Sequence, residues 1–311
     1  MLIFTEVGAV AKGIALTGYV ALLAIAAGLY YGRRQAGMTV RLAGETDRAD
    51  TEKKLADNLR EAFQQQRLPA VPNLGFSATY LPASISAKVG GDWYDAFELP
   101  HGRIMFSLGD VAGHGIEAAV IMGRARQAII AAALQEDDPG SILARANKTL
   151  GLQELRFATA ICGYVNARTL EVTYATAGHP PAILISADCS AHVLEYEGLP
   201  LGVQSDTKYR NFSFKAEPGS VLVLYTDGLI EYDHDVLEGE RRILEIAREV
   251  VRRKVENPAA EIQDAVFAQY EPLDDVAILT ISFRDGAHQD ENDRERWSVG
   301  LSGVNQPFTD V

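Results

Sequence analysis

Short apolar runs, broken by glycine and proline, dominate the chain from about residue 70 to residue 283. "GRIMFSLGD", "FATAICGYV", "EVTYATAG", "PAILIS", "NFSFKA", "SVLVLYTDG" and "VAILTISF" each have the length and β-branched content of a strand. Patterns with a helical period interrupt them at about 116–135, 139–150, 239–255 and 259–270. Several strands follow one another with no helix between them. That order predicts a mostly antiparallel α+β domain over residues 69–284.

The pattern differs on either side of this domain. Residues 13–32 follow a short N-terminal segment, 1–12, and carry a charge-free apolar run from Gly13 to Tyr31. Its length approaches the ~20 residues that cross a bilayer as a helix. Lys12 precedes it, and Arg33 and Arg34 follow at once, which places the following chain on the cytoplasmic side. The expectation is a single-pass transmembrane helix at the cell membrane with the domain over residues 69–284 in the cytoplasm. A cleaved signal peptide fits less well, because Glu6 accompanies Lys12 and arginines follow the run. A buried helix is the third reading. Residues 33–68 are charged and helix-prone, with Leu55, Leu59 and Phe63 on one helical face. This segment reads either as a solvated linker helix or as one that pairs two protomers into a homodimer. Pro69 and Pro72 close it. Residues 285–311 are polar and read as a loose tail.

A net charge of −13 argues against nucleic acid as a partner. The two cysteines, Cys162 and Cys189, exclude a disulfide framework and a cysteine-rich zinc site. Cys162 lies in an apolar run and reads as a packing residue.

The candidate chemistry lies in aspartates at the ends of apolar runs: Asp92 and Asp95 in "VGGDWYD", Asp110 in "SLGDVAGHG", Asp227 in "YTDG", and Asp274 and Asp275 in "PLDDVAIL". Each alone is an ordinary turn signal. Together, carboxylates at converging strand ends repel unless a cation sits among them. Hard divalent ions such as Mg²⁺ or Mn²⁺ take oxygen ligands of this kind. Gly90, Gly91, Gly109, Gly113 and Gly115 remove side chains where the backbone nears an ion or a phosphate. The loop after Asp110 feeds a helix beginning near Ile116, whose N-terminus favours an anion. A plain glycine-rich turn remains the other reading of that loop.

These blocks, in this order, resemble the SpoIIE/RsbU-type bacterial serine phosphatases, a branch of the metal-dependent 2C-type (PPM) phosphatases. The resemblance runs from about Leu55 to Ser282 and implies a four-layer α-β-β-α sandwich of two antiparallel sheets flanked by helices. It implies two Mn²⁺ or Mg²⁺ ions bridged by an aspartate and a water. Carried onto this chain, Asp110 is the bridging ligand and the Val111 carbonyl completes one ion. Asp92 binds one ion, partly through water. Asp227 and one of Asp274 and Asp275 hold the other, with Asp274 preferred. Asp95 reads as support for the ligands or as a turn residue. His114 reads either as the acid for the leaving serine oxygen or as a cap or solvent-facing residue. His179 in "AGHPP" reads as a turn residue. Gly113 and Gly115 are candidates for binding substrate phosphate, as is Lys88, which stands where related enzymes place an arginine. The implied substrate is a phosphoserine protein, typically an anti-anti-sigma factor of the STAS type. A catalytically inactive phosphoprotein-binding module and a two-metal hydrolase of another phosphate ester are the alternatives.

Overall fold

Among the described residues every ladder between named strands is antiparallel, and the strands form two five-stranded sheets. The computed structural model describes residues 67–83, 90–113, 115–151, 157–232 and 235–284. The first sheet has the order β2 (Trp93–Leu99), β3 (Arg103–Val111), β4 (Ala158–Asn166), β5 (Glu171–Ala177) and β8 (Phe212–Lys215). The second has the order β1 (Leu74–Leu81), β10 (Val276–Phe283), β9 (Val221–Tyr225), β6 (Ile183–Ile185) and β7 (Ala191–Val193). Four helices accompany them: α1 (Ile116–Ala133), α2 (Pro139–Gly151), α3 (Val236–Arg253) and α4 (Pro258–Val266).

Three hydrophobic cores show how these pieces are layered. Ile104, Phe106, Leu108 and Ile161 of the first sheet pack with Leu222, Leu224, Ala277, Leu279 and Ile281 of the second. Met105, Cys162 and Ala175, on the other face of the first sheet, pack with Ile121, Met122 and Ile129 of α1 and Ile142 and Leu143 of α2. Val223, Val276 and Ile278, on the far face of the second sheet, pack with Ile243, Ala247, Val250 and Ile262 of α3 and α4. Alternate residues of a strand point to opposite faces, so each central strand serves two cores at once and reads as a nearly continuous apolar run. The expected α-β-β-α layering and the buried packing role of Cys162 are both observed.

Strands β1 and β2 are absent from the hydropathy reading for a physical reason. Ser77 and Thr79 of β1 face the α4 side, where the Ser77 hydroxyl lies 2.6 Å from that of Thr280 and accepts from the Ala259 amide. The Thr79 hydroxyl donates to Gln263 at 2.5 Å. In β2, Asp95 is fully buried and receives two bonds from Arg126 of α1, at 2.8 and 2.7 Å. Polar groups satisfied inside the core hide the apolar period. Asp95 is therefore not a turn residue. It is one half of a buried ion pair that ties α1 to β2.

The expected membrane placement is corrected. Among the described residues no helix is long and apolar enough to cross a membrane. The longest, α1 and α3, have 18 residues each, and α1 carries Glu117, Arg124 and Arg126. The expected span at 13–32 lies outside the described residues, as do the tail at 285–311 and all but the last two residues of the linker at 33–68.

Removing one member of a buried pair strands the other charge. Arg126→Met is expected to cost about 3–5 kcal/mol in urea denaturation, and the double variant Asp95→Leu/Arg126→Met to recover most of that loss.

Candidate active site

Strand parity brings the acidic side chains together. In β2 and β3, Tyr94 and Leu108 belong to the layer between the sheets, so Asp92 and Asp110, two residues further along, continue that face beyond the core. In the second sheet Leu224 and Ala277 face the same layer, which directs Thr226 and Asp275 to the same end. Each pair stands at the last rung of a ladder or just past it. Trp93 is registered with Gly109, and Ile278 with Tyr225.

Hydrogen bonds fix these ends. The Thr226 hydroxyl accepts from the Ala277 amide at 2.8 Å and donates to Asp92 Oδ2 at 2.7 Å. Thr226 is fully buried, so one hydroxyl from the second sheet positions a carboxyl of the first. The amide of Ala83 donates to Asp275 Oδ1 at 3.0 Å, and the Asp275 amide donates to Asp274 Oδ1 at 2.7 Å. The Val111 amide donates to the Gly91 carbonyl at 3.2 Å. A Cβ on Gly91 would stand 2.5 Å from the Val111 carbonyl oxygen and 2.9 Å from Asp110 Oδ1, and one on Gly90 would overlap Asp275 and Tyr80. The Gly90–Gly91 pair is thus what lets the loop entering β2 lie against the carboxylates. Gly113 and Gly115 have φ values of 105° and 88°, a region that favours glycine, and Gly115 caps α1 without a side-chain bond.

The carboxyls sense one another. Burial, and then the charges of Asp227, Asp274 and Asp275, push Asp110 up to about 7, while a bond with Asp92 works in the opposite direction. Asp92 is raised well above the ordinary carboxylate range by burial, by the Asp110 charge and by the same bond. Asp227 is raised by burial, then by Glu231 and Asp274. Five of the sequence-derived candidates, Asp92, Asp110, Asp227, Asp274 and Asp275, thus act on one another across the two sheets. Val111, Gly113 and Gly115 adjoin them in the chain. His114 and Lys88 lie outside the described residues. Among the described residues, no three His, Cys, Asp or Glu side chains close into a ready-made metal-binding group. The donor set is oxygen-only, the kind hard divalent cations take.

Sequence reasoning missed Thr226 and Arg126. A threonine before Asp-Gly looks like an ordinary strand residue, and an arginine on an apolar helix looks like a surface residue. His179 is no exposed turn residue: it is 2% exposed, and its Nδ1 lies 3.0 Å from the Thr159 hydroxyl.

The family comparison settles the affiliation of this sandwich. Residues 100–284, more than half of the chain, match stage II sporulation protein E (SpoIIE). The chain belongs to the SpoIIE family. Asp110, Asp227, Asp274 and Asp275 lie inside the matched segment and Asp92 just before it. The phosphoserine phosphatase RsbU of Bacillus subtilis is 28% identical over 193 residues, which cover 61% of this chain and 56% of RsbU. The phosphoserine phosphatase RsbP of the same organism is 26% identical over 152 residues, covering 47% of this chain and 38% of RsbP. This SpoIIE-family chain therefore spans about half of RsbU and less of RsbP. A crystal structure of RsbU and RsbW domains from Mycobacterium tuberculosis superposes with a TM-score of 0.64 at 29% identity, covering 70% of this chain and 62% of that one. The PP2C phosphatase domain of Bacillus subtilis SpoIIE gives a TM-score of 0.60 at 16% identity, covering 68% and 64%, and shares the fold.

The raised carboxyls fix a sign for pH dependence. A folded-state value near 7 for Asp110 against an ordinary 3.8 means that the folded protein binds the extra proton. Its contribution to stability is complete below about pH 4 and is lost as pH rises through about 7. In chelator, the melting temperature is expected to be lower at pH 8 than at pH 5. Asp110→Asn should raise it at pH 8, at about 2–4 °C per kcal/mol for a domain of this size.

Proposed function

We propose that this chain is a metal-dependent protein-serine phosphatase that hydrolyses phosphoserine on a regulatory protein, of the anti-anti-sigma class implied by its sequence motifs. The observation that carries the reading is the convergence of Asp92 and Asp110 from one sheet with Asp227, Asp274 and Asp275 from the other. Carboxyls whose burial and neighbouring negative charges raise their affinity for protons form a site where a divalent cation can take the place of protons. The phosphoserine phosphatases RsbU and RsbP among the relatives support the substrate class. RsbX, a structural neighbour with a TM-score of 0.55, has been crystallised with magnesium, which supports the cation class.

The residues divide as follows. Asp110, which feels carboxylates of both sheets, is the bridging ligand. Asp92 and the Val111 carbonyl serve one side, and Thr226 holds Asp92 in orientation through its hydroxyl. Asp227 with Asp274 or Asp275 serves the other side. Two Mn²⁺ or Mg²⁺ ions, when bound, supply Lewis acidity toward a phosphoryl oxygen and acidify a water. The Gly113–Gly115 loop, which opens an 18-residue helix, presents backbone amides and a positive dipole end to the phosphate. Lys88, four residues before Asp92, is the candidate cation for the phosphate, and His114 is the candidate acid for the departing serine oxygen.

The test is turnover of a phosphoserine peptide by the full chain, with and without Mn²⁺. Chelator is expected to abolish turnover, and Asp110→Asn to lower it by about 10²–10³-fold or more. Metal-independent turnover overturns the two-metal account. Cation and phosphopeptide binding without turnover favours the inactive binding module. Thr226→Val keeps the shape but removes the hydroxyl that orients Asp92. It is expected to raise the Mn²⁺ concentration for half-maximal rate by about 10-fold or more.

A further inference from the structure

The chain leaves the first sheet at Ala177 of β5 and enters the second at Ile183 of β6, so residues 178–182 form a bridge between the sheets. His179 lies in this bridge. Its Nδ1 stands 3.0 Å from the Thr159 hydroxyl, and Thr159 is the register partner of Asp110 across the β3–β4 ladder. The bridge runs on into β6, which pairs with β9, and the last residue of β9, Tyr225, stands two residues before Asp227. Gly178, with φ of 64°, pairs with Ala160 on one side and packs against Pro200 on the other, so the bridge is held at its start. The imidazole is 2% exposed, and its Nε2 has no hydrogen-bond partner. Leucine or phenylalanine would fill such a space without burying an unbonded nitrogen. What the imidazole offers beyond volume is one directional contact with the Thr159 side of the site, made from a bridge that runs on into the second sheet.

We propose that His179 is a positioning residue, a neutral strut that sets the spacing between the two sheets where their carboxylates meet. The proposal rests on the reading of that cluster as the catalytic centre. A cation shared by Asp110 and Asp227 requires oxygens of both sheets at coordination distance, about 2.0–2.6 Å for these ions. The Thr159 hydroxyl anchors the ring beside Asp110, and the chain that carries the ring continues into β6, the neighbour of the β9 strand that leads to Asp227. Without the ring the two halves of the ligand set lose a common reference, although each keeps its own ladder.

The test compares the full-length wild-type chain with His179→Leu, His179→Asn, Thr159→Val and His179→Leu/Thr159→Val. Mn²⁺ binding is read by calorimetry, kcat and KM on a phosphoserine peptide, and cooperative unfolding in chelator. His179→Leu is expected to weaken Mn²⁺ binding by about 10-fold or more and to lower kcat with little change in KM. His179→Asn, which keeps a polar atom near the place of Nδ1, should recover part of both. Thr159→Val should reproduce the loss, and the double variant should add little to either single change. Wild-type Mn²⁺ affinity and kcat in a folded His179→Leu overturn the strut, and so do additive losses in the double variant. If His179→Leu does not fold, Thr159→Val decides by the same criteria. A wild-type chain that binds Mn²⁺ without hydrolysing the peptide ends the phosphatase reading but leaves the calorimetric test of the strut intact. One that binds no Mn²⁺ overturns both.

Discussion

Repulsion between carboxylates that the fold will not let separate is the constraint on which this structure turns. Asp92 and Asp110 are fixed at the end of one sheet, and Asp227, Asp274 and Asp275 at the end of the other. The apolar layer between the sheets presses them together, and ladder hydrogen bonds keep each from turning away. Burial and the neighbouring charges raise the proton affinity of Asp92, Asp110 and Asp227, and the Thr226 hydroxyl is bonded to Asp92 from the opposite sheet. Core packing thereby sustains an arrangement that is unfavourable at the site, as binding centres for cations commonly require.

The rest of the molecule can be understood as support for that arrangement. The Asp95–Arg126 pair is distinct from the carboxyl cluster because Asp95 is odd in the parity of β2 and points to the helix layer, whereas Asp92 points between the sheets. It ties α1, whose first turn follows the Asp110 loop, to the strand that follows Asp92. Helix and ligand strands are thus joined through a charge pair that would be expensive to break, which keeps the Gly113–Gly115 corner in a constant relation to the carboxylates.

Much of this was legible in the sequence, and the illegible part has a common cause. Aspartates at the ends of apolar runs identified Asp110, Asp227, Asp274 and Asp275, since a strand that stops at a carboxylate marks an edge. Strands β3 to β6, β9 and β10 were visible because most of their residues are buried, and the edge strand β8 because Phe212 and Phe214 alternate with exposed residues. Strands β1 and β2 were not, because Ser77, Thr79 and Asp95 turn polar groups into the core and satisfy them there. Thr226, Arg126 and His179 acquire their roles only from partners 134, 31 and 20 residues away. No local pattern encodes such distances. The apolar run at 13–32 shows the opposite difficulty: its composition fits a bilayer, but no described helix carries that property, and the segment itself lies outside the described residues.

The alternation along β3 binds chemistry to core in a further way. Phe106, Leu108 and Asp110 share one side of a single strand, so whatever seats the aromatic ring also aims the acid. A one-residue insertion between Leu108 and Asp110 would exchange the two sides beyond it, sending the acid under the helices and a hydrophobe into the cleft. A change in the length of this strand would therefore misdirect the carboxyl even where the sheet could absorb the extra residue.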